Sequence, residues 1–172
     1  FSSRKKQIHR NSKIYDTLIA SSKVDQLVIT ASFGVDYSKV LATGLPRYDY
    51  FNTGYKWPDD LQKNKQDLAA MLAGRKFVLY APTFRDDGNG LGDLLNKESI
   101  HFIRSFCEAK NIAFGIRPHP YNGYDLGTIC DNKFIIDVSA ERYPEAACLL
   151  TLAEAVIADY SSIWVDYLLR CL

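Results

Sequence analysis

Ala153–Leu172 reads A-E-A-V-I-A-D-Y-S-S-I-W-V-D-Y-L-L-R-C-L. The apolar run with β-branched Val156 and Ile157 predicts a buried strand, and Asp159-Tyr160 the turn that follows it. Ser161 or Ser162 then falls where a helix N-cap belongs, ahead of the apolar run Ile163, Trp164, Val165 and Leu168. A strand running directly into a Ser-capped helix is the corner at which doubly wound α/β proteins hold phosphate. The first N–H groups of such a helix have no intrahelical partner, and its dipole places partial positive charge there. The same spacing equally suits an ordinary capped helix with no ligand.

Working outward, the residues before this stretch repeat its plan. Pro144 opens a predicted helix through Leu149, Leu150 and Leu152, and Lys133–Asp137 (K-F-I-I-D) is a predicted strand. Asn111–Ile116 (N-I-A-F-G-I) is another, ended by Arg117-Pro118-His119-Pro120. Two prolines hold His119 in extended geometry, so the loop is either an anion clamp offering Arg117 and His119 or simply a rigid turn. A histidine here could also protonate a departing phosphate oxygen. Leu94–Lys110 is a predicted helix with Ile100, Ile103, Phe106 and Cys107 on one face and His101 as a surface or packing residue. Lys76–Ala81 is a predicted strand, and Pro82-Thr83-Phe84-Arg85-Asp86-Asp87-Gly88 the loop at its C-terminal end. Open α/β sheets bind ligands at that end of their strands. Arg85 has a planar fork suited to phosphate, or it pairs with Asp86 or Asp87. Strand ends thus bring together Arg85, His119 and Ser161/Ser162.

Farther upstream, Asp59–Gly74 predicts one helix, with Leu61, Leu68, Met71 and Leu72 as its stripe and Gly74 as its stop. Residues 44–58 (G-L-P-R-Y-D-Y-F-N-T-G-Y-K-W-P) are rich in breakers and read as loop. Tyr15–Ser21, a helix capped by Ser22 through Val24, Leu27, Val28 and Phe33, and Lys39–Thr43 form a predicted β-α-β unit. Residues 1–13 hold six basic residues and no acid, a solvated segment or a contact for an anionic membrane surface or polymer.

Composition bounds these readings. The 172 residues are 24% charged and 47% hydrophobic with a formal net charge of +1, so a packed core is expected and no general field for nucleic acid. No apolar run reaches the ~18 residues of a membrane span, and no signal peptide is visible. Cys107, Cys130, Cys148 and Cys171 lie 23, 18 and 23 residues apart, which is no metal spacing and predicts reduced thiols. Phe1 at the start and Cys171-Leu172 inside a helical pattern at the end lead us to expect a piece of a longer protein.

Four stretches in order carry a family resemblance: T-G-L-P-R-Y-D (43–49), L-Y-A-P-T-F-R-D (79–86), R-P-H-P (117–120) and A-D-Y-S-S-I-W-V-D-Y-L-L (158–169). Together they resemble the CDP-glycerol glycerophosphotransferases, the primases and polymerases of teichoic acids and related capsule polymers. The resemblance covers about residues 15–172. It implies an α/β fold of GT-B type, two Rossmann-like doubly wound parallel-sheet domains, with the donor held by the C-terminal one. On that basis 1–45 are the end of the N-terminal (acceptor) domain, 46–58 the linker, and 59–172 the donor-binding domain, cut short at its C-terminus.

The implied reaction is attack by an acceptor hydroxyl on the donor's β-phosphate, with CMP leaving. Ser161 and Ser162 would hold the pyrophosphate, with His119 touching it as the catalytic group. Pro82, Thr83 and Arg85 would lie against nucleotide and phosphates, Arg117 and Asp159 would complete the substrate contacts, and Asp166 would face the glycerol hydroxyls or else solvent. The resemblance implies CDP-glycerol as donor substrate, no cofactor and no obligatory metal. It also implies a polyol-phosphate or glycan-phosphate acceptor, no nucleic acid, and a peripheral place on the cytoplasmic face of the membrane. Alternatives are CDP-ribitol or a sugar nucleotide as donor, or a non-catalytic nucleotide-binding domain. The family's tryptophan-histidine-glycine-threonine stretch is absent here, so these residues alone are expected to be inactive; Pro118 also stands where the family often has an aliphatic residue.

Overall fold

The structure, a computed structural model, describes residues 14–83, 95–119 and 126–171. The basic segment 1–13, the loop bearing Arg85, and residues 120–125 lie outside the described residues, as do the Cys171 side chain and Leu172. The chain divides into two compact units, Phe1–Asn52 and Thr53–Leu172. That division lies inside the segment 46–58, whose first part is a 3-10 helix, Pro46–Phe51, rather than open loop.

The first unit is a β-α-β turn of chain. β1 (Leu18–Ala20) pairs in parallel with β2 (Val40–Ala42), and α1 (Lys23–Phe33) connects them. Ser22 caps α1 by accepting from the Asp25 N–H at 3.1 Å, and Asp25 in turn accepts from Ser21 N at 2.8 Å. Gly34, at φ 63°, ends the helix. The residue α1 turns inward is Gln26, whose side-chain amide donates to the Val40 carbonyl, and Ala20 and Val40 are fully buried beside it. The expected stripe Val24, Leu27 and Val28 is instead exposed.

The second unit is built on a parallel four-stranded sheet. Its strands are β3 (Lys76–Tyr80), β4 (Ile112–Ile116), β5 (Ile135–Asp137) and β6 (Ala155–Ile157), in the order β5-β4-β3-β6. Tyr80 lies opposite Ile116 and Ile157, and Ile116 opposite Asp137, so the four strands end at one level. Among the described residues the helices α2 (Asp59–Leu72), α3 (Lys97–Lys110) and the single turn α4 (Ala147–Leu150) precede β6, with a 3-10 turn at Leu126–Thr128, and α5 (Ile163–Leu168) follows it. The chain steps from β3 outward through β4 to β5, then returns across to β6. Right-handed crossovers in opposite directions put their helices on opposite faces. Accordingly Tyr80, Ile116, Ile135 and Phe114 pack with Ile100 and Ile103 of α3 on one face. On the other, α4 packs on α2, with the Cys148 thiol 3.5 Å from the Leu61 carbonyl.

Several boundaries differ from the sequence reading for physical reasons. α2 ends in Ala73, itself left-handed at φ 48°, with Gly74 following at φ 78°; Arg75 closes this end by donating to the Leu72 carbonyl at 2.8 Å and to the carbonyls of Met71 and Lys133. α3 begins only after Asn96, whose side chain accepts from Ser99 N at 2.9 Å. Phe106 does not share the buried face of Ile100 and Cys107 but is half exposed. The helix expected from Pro144 contracts to α4, because Leu152 and Ala153 already turn the chain into β6. In the sheet of the described residues β6 comes last in the order, and Ile157 is 50% exposed where its composition led us to expect burial.

Candidate functional site

The strand order decides where a site can lie. In a sheet whose connections leave in opposite directions from two neighbouring strands, a crevice opens beyond their C-terminal ends. Here those neighbours are β3, which leads toward β4, and β6, which is reached from the far edge. The loop after β3 begins Ala81-Pro82-Thr83 and that after β6 runs Ala158–Ser162, so D-Y-S-S stands at the topological switch point.

Two sets of hydrogen bonds join these loops. The ladder itself extends one step, with Ala81 N donating to the Ile157 carbonyl at 2.9 Å. Beyond it, the carboxylate oxygen Oδ1 of Asp159 accepts from the backbone N–H of Thr83 at 2.9 Å and also from the Thr83 hydroxyl. Pro82 is buried and Thr83 is half-buried.

The serines are arranged differently from a simple N-cap. Ser162 has helical dihedrals (φ −69°, ψ −7°) and makes no side-chain cap. Ser161 Oγ instead accepts from Ile163 N at 3.3 Å. The helix that follows is only Ile163–Leu168, with Trp164, Val165 and Leu168 about half exposed. α5 is held at its far end, where the Tyr167 hydroxyl donates to the Glu154 carbonyl at 2.8 Å. Asp166 is half-buried on α5, and Tyr160 is 96% exposed between Asp159 and Ser161, so it serves no core.

The R-P-H-P loop leaves β4, the other neighbour of β3. Arg117 N donates to the Tyr80 carbonyl at 2.9 Å, while the guanidinium turns toward the exit of β5. There it donates to the carbonyls of Val138 (3.1 Å), Tyr143 (2.7 Å) and Pro144 (3.4 Å). Burial lowers its pKa, partly offset by Glu145 and Cys148, and the side chain stays charged. These bonds brace the chain between β5 and α4, a role that the anion-clamp reading of Arg117 did not include. His119 is half-buried, and Pro118 before it is buried. Since β4 and β6 flank β3, their ends stand about 10 Å apart, a distance that a pyrophosphate with its attached groups can span. Arg85 belongs to the same exit as Thr83 but lies outside the described residues. Among the described residues no three of His, Cys, Asp and Glu cluster as metal ligands.

The family profile described as CDP-Glycerol:Poly(glycerophosphate) glycerophosphotransferase matches residues 1–170. The chain belongs to this family. A teichoic acid poly(ribitol-phosphate) polymerase of Bacillus spizizenii is 32% identical over 163 residues, covering 94% of this chain and 25% of the relative. The Staphylococcus aureus ribitol-phosphate polymerase TarK is 29% identical over 160 residues, 91% of this chain and 30% of that protein. A Staphylococcus epidermidis teichoic acid poly(glycerol phosphate) polymerase is 26% identical over 165 residues, 95% of this chain and 22% of its own length. The chain thus spans less than a third of each of these relatives. Among solved structures, the wall teichoic acid polymerase TagF superposes with a TM-score of 0.73 at 22% identity, covering 98% of this chain and 41% of TagF. A TagF variant soaked for 15 minutes with CDPG gives 0.74 at 25% identity, over 98% and 41%. The doubly wound parallel sheet thus has the GT-B type of fold that the motifs implied.

The contact that sequence reading missed is Thr83 with Asp159. The two residues are 76 positions apart, so no local pattern joins them; each was expected as a substrate contact at its own strand end, not as the other's partner.

Proposed function

We propose that this chain is the donor-binding portion of a transferase that moves a polyol phosphate from a CDP-polyol to the hydroxyl end of a teichoic-acid-like or capsular polymer, releasing CMP. The observation that carries the reading is the switch point between β3 and β6, lined by Thr83 and the D-Y-S-S loop, in a chain of the glycerophosphotransferase family. Ser161 and Ser162 supply hydroxyl donors to the pyrophosphate, and the β3 exit with Pro82, Thr83 and Arg85 lies along the nucleotide side. The acceptor hydroxyl attacks the β-phosphate, forming a new P–O bond as the bond to the CMP oxygen breaks. In this reading His119 donates a proton or hydrogen bond to that departing oxygen, and such a group contributes about 10²–10⁴-fold. Asp166 faces the polyol hydroxyls. The chemistry calls on donors and position rather than on a resident cofactor.

The donor we assign first is CDP-glycerol, in keeping with the family's description. A second reading, CDP-ribitol, is favoured by the ribitol-phosphate polymerases among the relatives. Among the described residues no helix is long and apolar enough to cross a membrane, and we place the protein peripherally on the membrane's cytoplasmic face, where a lipid-linked acceptor would be met. The test is CMP release by the full protein, given acceptor and each donor in turn. The proposal expects CMP from one CDP-polyol and a loss of at least about a hundredfold in kcat for His119→Ala. CMP release from neither donor, or an unimpaired His119→Ala enzyme, would count against it.

A further inference from the structure

Asp159 sits beside the place where we put a pyrophosphate, yet an ionised carboxylate has no proton to give and repels phosphate. It must therefore do something other than bind that anion. Oδ1 accepts both hydrogen bonds that Thr83 can donate, the backbone N–H at 2.9 Å and the hydroxyl. These bonds tie the exit of β3 to the exit of β6 at the one point of the sheet where the two connections diverge.

We infer that Asp159 is a positioning residue, a latch that sets the spacing between Thr83 and Ser161-Ser162 and so the width of the donor crevice. This rests on the donor-site reading above. The latch requires an acceptor oxygen at Asp159 rather than its charge, and it requires Thr83 as its partner. Asp159→Asn keeps an acceptor for both Thr83 donors, whereas Asp159→Ala keeps none.

In the full protein, Asp159→Ala is expected to raise KM for the CDP-polyol donor about tenfold or more, the size of one lost hydrogen bond to a charged group. Asp159→Asn is expected to recover most of that loss. Thr83→Val combined with Asp159→Ala is expected to cost less than the product of the two single losses, because the hydroxyl contact between them is shared. Hydrogen exchange at the Thr83 amide is expected to accelerate in Asp159→Ala and not in Asp159→Asn. Losses that multiply in the double variant, or an Asn variant as impaired as the Ala variant, would overturn the latch. If the wild type turns over neither CDP-glycerol nor CDP-ribitol, the donor reading falls instead, and the Thr83 exchange rates alone decide the latch: unchanged protection in Asp159→Ala would overturn it.

Discussion

A Cβ on Gly115 would lie 2.5 Å from Cε2 and 2.8 Å from Cζ of Phe77. Gly115 stands in the middle of β4, opposite Leu79 and Ile136, and the Phe77 ring is buried over it. The obstacle is a packed aromatic ring with Val138 close behind, not the free end of a flexible chain. Gly115→Ala should therefore destabilise the second unit by about 1–3 kcal/mol. Urea unfolding would show it, and Phe77→Leu in the same chain should return part of the loss. A Gly115→Ala chain as stable as the parent would refute this account of the core.

Arg117 is expected to matter for stability. Its guanidinium holds three carbonyls of the segment between β5 and α4, and truncation leaves these acceptors without that donor. Arg117→Ala should cost roughly 3 kcal/mol in urea unfolding. Arg117→Lys should recover little, because one ammonium cannot span the fork's three contacts. Full rescue by lysine would mean that charge alone is what the site uses.

Acid stability should report on Asp131. Burial raises the pKa of its carboxyl, but hydrogen bonds from the N–H groups of Ile135 and Lys133, the Arg104 side chain and the N–H of Phe134 outweigh this and leave it below 3.8. A carboxyl whose folded pKa is depressed adds stability above its unfolded pKa and loses it as pH falls through the folded one. The stability gap between the parent and Asp131→Ala should thus be full at neutral pH and shrink below about pH 4. Denaturation series at several pH values check this, and a gap independent of pH would contradict it.

The thiols should be slow to react in the folded chain. Burial, with Glu145 nearby, pushes Cys148 up to about 11, and burial with Asp137 and Asp131 pushes Cys130 up to about 12. Cys107 is raised too, chiefly by burial. The nucleophile is the thiolate, so alkylation at pH 8 should leave these three unmodified until urea unfolds the chain. Rapid native-state labelling at Cys148 would go against this.

How much was legible depended on whether the signal was local. Lys76–Tyr80 and Ile112–Ile116 declare themselves as short apolar runs between breakers, and the helix cap at Ser22 follows from its position before the stripe. The bracing role of Arg117 could not be read, because the carbonyls it meets belong to residues 21 to 27 positions away. At the candidate site, R-P-H-P and D-Y-S-S follow β4 and β6 as read from the sequence, while the bond joining Thr83 to Asp159 emerged only from the strand order.

The central claim is that the β3–β6 switch point seats a CDP-polyol through Ser161 and Ser162. Titration calorimetry of the full protein with CDP-glycerol and with CDP-ribitol tests it most directly, repeated on the Ser161→Ala/Ser162→Ala variant. Loss of two hydroxyl bonds to a charged group should weaken binding roughly a hundredfold while leaving the thermal midpoint nearly unchanged. Donor binding of equal strength in the double variant would contradict the claim.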